Sequence, residues 1–213
     1  TLIVLVPLMT LPMKTATTSW PVFVETITDP RVVASYRLSL GASLAAATVN
    51  AVFGMLVAWV LVRYDFPGRR LLMAATVVPF VLPTVVTGSA FVALLGPGGP
   101  FGVDLRRTVP AILLAHVFAN YAVVVRTVGT AWEQLDRRME EASQTLGAGR
   151  WRTLVEVTLP LLTPAIASAA SIVFLFTFTS FGIILILGGI GLATVEVEIW
   201  RQATALLDLR VAA

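Results

Sequence analysis

Residues 131–160 read AWEQLDRRMEEASQTLGAGRWRTLVEVTLP, a charge-rich stretch set between apolar runs. Within it Trp132, Leu135, Met139, Ala142 and Leu146 recur at spacings of three and four, which puts them on one face of a helix. Glu133, Asp136, Arg137, Glu140 and Glu141 then fall on the other faces. Asp136 is of the N-cap type, and Gly147 stands where a helix stops with a residue at positive φ, after which Arg150 and Trp151 begin a second short helix. The pattern predicts an amphipathic surface helix. Periodicity alone does not distinguish a helix that merely lies on lipid from one that serves a partner.

What flanks the stretch sets the fold class. Runs free of Asp, Glu, Lys and Arg cover residues 38–62, 71–95, 108–125 and 157–195. A helix of about 20 apolar residues crosses a hydrocarbon core, so the first three runs each predict one span. The fourth is too long for one crossing; Pro160 and Pro164 at one end and Gly188, Gly189 and Gly191 at the other bracket a span at about 165–187. Of 213 residues 57% are hydrophobic and 13% charged, with a mean hydropathy of +0.89. No soluble globule hides that much apolar surface, and disordered chains lack it. The expected fold is all-α, a single polytopic transmembrane helix bundle over residues 1–213, with a loop helix carried on residues 126–158. The opening run 1–13 is too short to span and carries Pro7 and Pro12, and the chain begins without Met. Partial helices are therefore expected at both ends, as in a fragment or half of a larger protein.

With no cysteine, disulfide scaffolds, thiolate catalysis and Cys-ligated metals drop out. The net charge of +3 comes from fifteen cations, all arginine but Lys14, dispersed between the apolar runs. That placement suits membrane-flanking charges rather than a nucleic-acid surface. The Arg-dense turn at residues 63–70 shares a side with 126–156, and that side is expected to be cytoplasmic.

Polar groups within the spans are candidates for a translocation path. His116 and Asn120 lie one turn apart, as do Thr177 and Ser180, and Pro79 and Pro83 bend the second span. Hydrogen bonding between helices and packing account for them equally well. One histidine without nearby ligands leaves no metal site. Glu133, Glu140 and Glu141 read as a solvated helical face rather than an acid–base cluster, and no Ser-His-Asp set or zinc helix is present.

From Glu141 the order is Glu-Ala-Ser, three residues, Gly147, nine residues, Val157, one residue, Leu159-Pro160. This resembles the signature loop of the membrane-spanning subunits of type I ABC importers: Glu-Ala-Ala, three residues, Gly, nine residues, Ile, one residue, Leu-Pro. Ser143 replaces the second Ala and Val157 the Ile; every interval is kept. The resemblance, which covers about residues 38–209, implies a coupling helix that docks into a cleft on a cytoplasmic ATPase dimer and passes its closure to the spans. Glu140, Glu141, Ala142, Ser143, Gly147, Leu159 and Pro160 would carry that coupling. It further implies an extracytoplasmic solute-binding protein, a second permease half on the same or another chain, and a bacterial cytoplasmic (inner) membrane location. Because a P-loop needs Gly-Lys followed by Ser or Thr, and the only lysine follows Met13, ATP and magnesium belong to the partner and no cofactor is expected here.

Two regions speak to the substrate and disagree. Residues 174–202, FLFTFTSFGIILILGGIGLATVEVEIWRQ, resemble the permeases for iron(III), thiamine and related small solutes, and these are the favoured substrates. SYRLSLGAS at 35–43 and VRYDFPGRR at 62–70 resemble sulfate and molybdate permeases, the alternative. A secondary transporter is disfavoured by the lack of charged midplane groups, and a membrane-embedded enzyme by the lack of a catalytic set.

Overall fold

The computed structural model describes residues 19–189 and 191–204, together with Met9, Met13 and Ala16. The partial helices expected at the two ends lie for the most part outside the described residues. Helix α1 (Trp20–Thr28) runs into α2 (Pro30–Arg63), whose start is fixed by Pro30 and by Asp29, which accepts a hydrogen bond from the Arg31 amide at 2.8 Å. With 34 residues α2 is about 50 Å long, well beyond one hydrocarbon thickness. Its buried stripe is made of small residues, Ser39, Ala42, Ala46, Asn50, Gly54 and Ala58, while Leu40, Leu44, Val52, Leu56 and Val60 point outward. Large apolar residues outside and small ones inside is the pattern of a helix solvated by lipid and packed closely on its neighbours.

The run expected as one span at 71–95 is broken. It forms α3 (Arg69–Ala75), α4 (Val78–Val81) and α5 (Thr84–Leu95), with a bend of 102° between the 69–81 and 84–95 portions. Leu82, held at ψ 134° before Pro83, cannot continue a helix, and Pro79 near the start of α4 has no amide to donate. Helix α6 (Val109–Glu133) is capped by Thr108, which accepts from the Ala111 amide at 3.4 Å. It continues two turns past the expected end at 125, so the first part of the expected loop is span.

After α7 (Arg137–Thr145), α8 (Arg150–Thr153) passes through one wide π turn (Leu154–Thr158) into α9 (Leu159–Phe178), a run of 29 residues in all. The wide turn forms where Pro160 removes a helical donor; the Leu159 amide reaches back to the Leu154 carbonyl. The last span thus starts at 159 rather than about 165 and stops at 178 rather than 187. Beyond it, α10 (Gly182–Leu187) is a separate short helix, followed by α11 (Val195–Thr204). Among the described residues three helices are long and apolar enough to cross a membrane, and the bent pair makes a fourth candidate.

Among the described residues two apolar clusters hold the bundle. One joins α2, α6 and α9 through Ala58, Val124, Val128, Trp132, Leu162 and Val173. The other joins α5, α6, α10 and α11 through Leu95, Ile112, Ile183, Ile184, Leu187 and Val197. Gly54 lets α2 and α6 approach closely, since a Cβ there would lie 2.6 Å from the Val124 Cβ.

Candidate functional site

Local sequence rules build α7 as expected. The Asp136 carboxylate accepts from the Arg138 amide at 2.9 Å, and Gly147 ends the helix at φ +91°. The Gly147 amide donates to the Gln144 carbonyl at 3.0 Å and the Ala148 amide to the Ser143 carbonyl at 3.1 Å, the paired bonds of a Schellman stop.

One side chain of the helix departs from the expected solvated polar face. Glu140 is buried: one carboxylate oxygen pairs with the Arg63 guanidinium at the end of α2, and the other accepts from the Thr158 hydroxyl at 2.8 Å, at the foot of α9. Ser143 and Thr153 lie 3.2 Å apart. The inward face of α7 is therefore polar. Met139 and Leu146 face out, 48% and 89% exposed, and Ala142, Glu141 and, on α8, Trp151 are exposed as well. The single apolar face expected from Trp132 to Leu146 does not exist as one surface. Trp132 is buried inside α6, Leu135 packs partly against the core, and the chain turns at Gln134–Asp136 before α7 begins. Glu140 does not share the solvated face expected of it with Glu133 and Glu141, because Arg63 and Thr158 supply what water would otherwise supply. Leu159 and Pro160 sit in the first turn of α9, where the loop joins the span.

Sequence reasoning missed Arg63, Thr153 and Thr158 as partners of the loop, and Arg69. The Arg69 guanidinium donates to the Leu61 carbonyl at 2.6 Å and to Asp65 at 2.9 Å, and stands 3.8 Å from Glu133, which ties the 63–70 turn to the end of α6. No local pattern joins Arg63 to a residue 77 positions away.

Deeper in the bundle, His116, Asn120, Thr177 and Ser180 are all buried. Asn120 and Thr177 come together, Nδ2 to Oγ1 at 3.5 Å, linking α6 to α9. His116 Nδ1 lies 2.8 Å from the Ile112 carbonyl on its own helix. Among the described residues His116 Nε2 and Ser180 Oγ have no partner, nor have the side chains of Asn50 and Thr87, two buried polar groups the sequence did not single out. Pro79 is buried beside the bend and Pro83 opens α5. Among the described residues no group of acidic and histidine side chains is placed to hold a metal.

At the opposite end, the Arg106 guanidinium beside Asp104, with contacts of 2.8 and 2.9 Å, holds that carboxyl down at about 2 against an ordinary 3.8. The Leu105 amide donates to the Leu95 carbonyl and the Arg107 amide to the Leu187 carbonyl, each at 2.9 Å, so the connection is laced to α5 and α10.

A bundle of apolar helices long enough to cross a membrane, with a polar-seated helix at one end, defines a multi-pass membrane protein. The family profile described as "Binding-protein-dependent transport system inner membrane component" matches residues 50–213, and the chain belongs to that family, the ABC importer permeases. It is 40% identical over 195 residues to the sulfate transport system permease protein CysT of Escherichia coli, covering 88% of this chain and 70% of that one. It is 41% identical over 167 residues to the protein of the same name from Synechococcus elongatus, covering 75% and 60%. In fold it is similar to a bacterial ABC transporter involved in the import of the acidic polysaccharide alginate, with a TM-score of 0.83 at 17% identity over 99% of this chain and 82% of that one. A second structure of the alginate transporter, in complex with an alginate pentasaccharide-bound periplasmic protein, gives 0.81 at 17% identity over 97% and 79%. The sulfate resemblance of the first half is thus favoured over the iron and thiamine resemblance of residues 174–202.

Proposed function

We propose that this chain is one permease half of a sulfate-importing ABC transporter of a bacterial cytoplasmic membrane. The observation that carries the mechanism is the seating of α7, its polar face anchored to the ends of α2 and α9 and its apolar residues Met139 and Leu146 turned outward. A helix held this way presents a small apolar surface to a cytoplasmic ATPase, and Glu141 adds a negative charge at its edge. Ala142 lets the partner approach, Gly147 fixes where the helix ends, and Ser143, Leu159 and Pro160 join the loop to the last span. ATP and magnesium act on the partner. An extracytoplasmic binding protein delivers the solute, and a second permease half completes the pathway, which opens to alternate sides.

The relatives named for sulfate support that substrate. The buried Asn120, Thr177 and Ser180 offer hydrogen-bonding groups without a negative charge, as an oxyanion requires. The test is growth on sulfate as sole sulfur source in cells lacking their own sulfate permease, with labelled sulfate uptake measured against molybdate, iron(III) and thiamine. Uptake of one of those three in place of sulfate would overturn the substrate assignment; stable assembly without any bound ATPase would overturn the docking role.

A further inference from the structure

Glu140 is the one carboxylate of α7 turned into the bundle, and each of its oxygens serves a different span. Oε2 meets Arg63, the last residue of α2; Oε1 accepts from Thr158, the residue that closes the π turn below α9. The Arg63 and Glu140 side chains are 28% and 12% exposed, so the pair is largely withdrawn from water and holds more firmly than a surface pair. Ser143 to Thr153, between α7 and α8, is the only other side-chain hydrogen bond from α7 to another element among the described residues.

We propose that Glu140 is a positioning residue that makes α2 and α9 move as one with α7, so that a push on the outward face reaches both spans through one carboxylate. This rests on the docking role proposed for α7. Two features favour a joint over a mere prop. The attachment point on α9 is a π turn, a wide stretch of helix whose hydrogen bonding can change locally, and such turns concentrate at functional sites. The attachment is also polar and directional, so it transmits both push and pull, which an apolar contact does not.

The experiment uses the whole transporter in lipid nanodiscs with its ATPase, titrated with sulfate-loaded binding protein. Glu140→Gln keeps the shape and loses the ion pair; Thr158→Val cuts only the arm to α9. Both variants are expected to co-purify with the ATPase, and to lower the ceiling of stimulated hydrolysis about tenfold, the scale of a typical coupling energy. The binding-protein concentration giving half-stimulation should stay where it is. Exchanging the charges, Arg63→Glu with Glu140→Arg, should recover stimulation that either single change loses, which a purely packing role would not produce. Leu146→Asp is the contrasting variant and should lose the ATPase itself. If Leu146→Asp keeps the ATPase bound, the docking role fails; if Leu146→Asp loses it while Glu140→Gln and Thr158→Val stimulate normally, the joint fails and docking stands.

Discussion

The Asn120 amide on α6 reaches the Thr177 hydroxyl on α9 at 3.5 Å, in a setting where both side chains are buried. In lipid a polar group finds no water to fall back on, so this long bond is the alternative to two orphaned groups. Thr177→Val keeps the shape and removes the hydroxyl. We expect it to lower unfolding stability in detergent by about 0.5–1.5 kcal/mol, and Asn120→Leu to add little more once Thr177 is gone. Fully additive losses in the double variant would show that the two side chains do not interact. Thr177→Leu and Ser180→Leu are expected to reduce sulfate uptake with assembly intact; unchanged uptake in both removes the pair from the path.

Gly54 sets the spacing of α2 against α6. The Val124 Cβ would lie 2.6 Å and its Cγ1 2.8 Å from any Cβ at residue 54, and the Tyr121 carbonyl 3.3 Å. Neither the branch point of Val124 nor a backbone oxygen moves cheaply, so Gly54→Ala must separate the helices. A loss of about 1–3 kcal/mol is expected from overpacking, read as a lower midpoint in detergent unfolding. A midpoint at or above that of the parent chain would mean that α2 and α6 can slide to accommodate a methyl group.

What could be read from the sequence was local. Asp136 and Gly147 declare the two ends of α7 through their own backbone preferences, and the apolar runs declare the spans through length. What could not be read depended on partners distant in the chain. Glu140 looks solvated until Arg63 arrives from the end of another span, and Trp132 looks like part of the α7 face until α6 proves to run on through it to Glu133. The second span was legible in part: Pro79 and Pro83 declare a bend, but its size, 102°, lies in the backbone geometry that Pro83 forces on Leu82, which hydropathy does not measure.

Asp104 should remain ionised in any medium that supports growth. Arg106 depresses its carboxyl to about 2 from an ordinary 3.8, so whatever the pair contributes is fully present above the ordinary value and is lost as pH falls through about 2. The carboxyl carbon-13 shift of Asp104 in the solubilised protein should therefore titrate well below the ordinary midpoint, and Arg106→Gln should return it. A midpoint near the ordinary value in the parent chain would show that the pair does not persist in solution.

Gly147 and Glu141 separate a docked helix from one that lies on lipid. At φ +91° a side chain is strained, costing about 1 kcal/mol for Ala and more for a branched Val, yet a Cβ at residue 147 would meet nothing within 4 Å. The strain therefore falls on the Schellman stop alone, and Gly147→Val should insert and fold while α7 ends in the wrong place. Leu146, almost fully exposed just before the stop, is the residue this would misaim. Glu141 is exposed, and among the described residues it forms no ion pair with Arg138, so its charge is free to face a partner. Glu141→Lys should repel a basic cleft and weaken ATPase co-purification, and both variants should lose uptake with stimulated hydrolysis. A lipid-bound helix behaves in the opposite sense, since an added lysine strengthens attraction to anionic lipid by about 1 kcal/mol. Measuring both variants in nanodiscs with and without anionic lipid decides between them: undiminished ATPase binding by Glu141→Lys, together with normal stimulated hydrolysis by Gly147→Val, would assign α7 to the membrane surface.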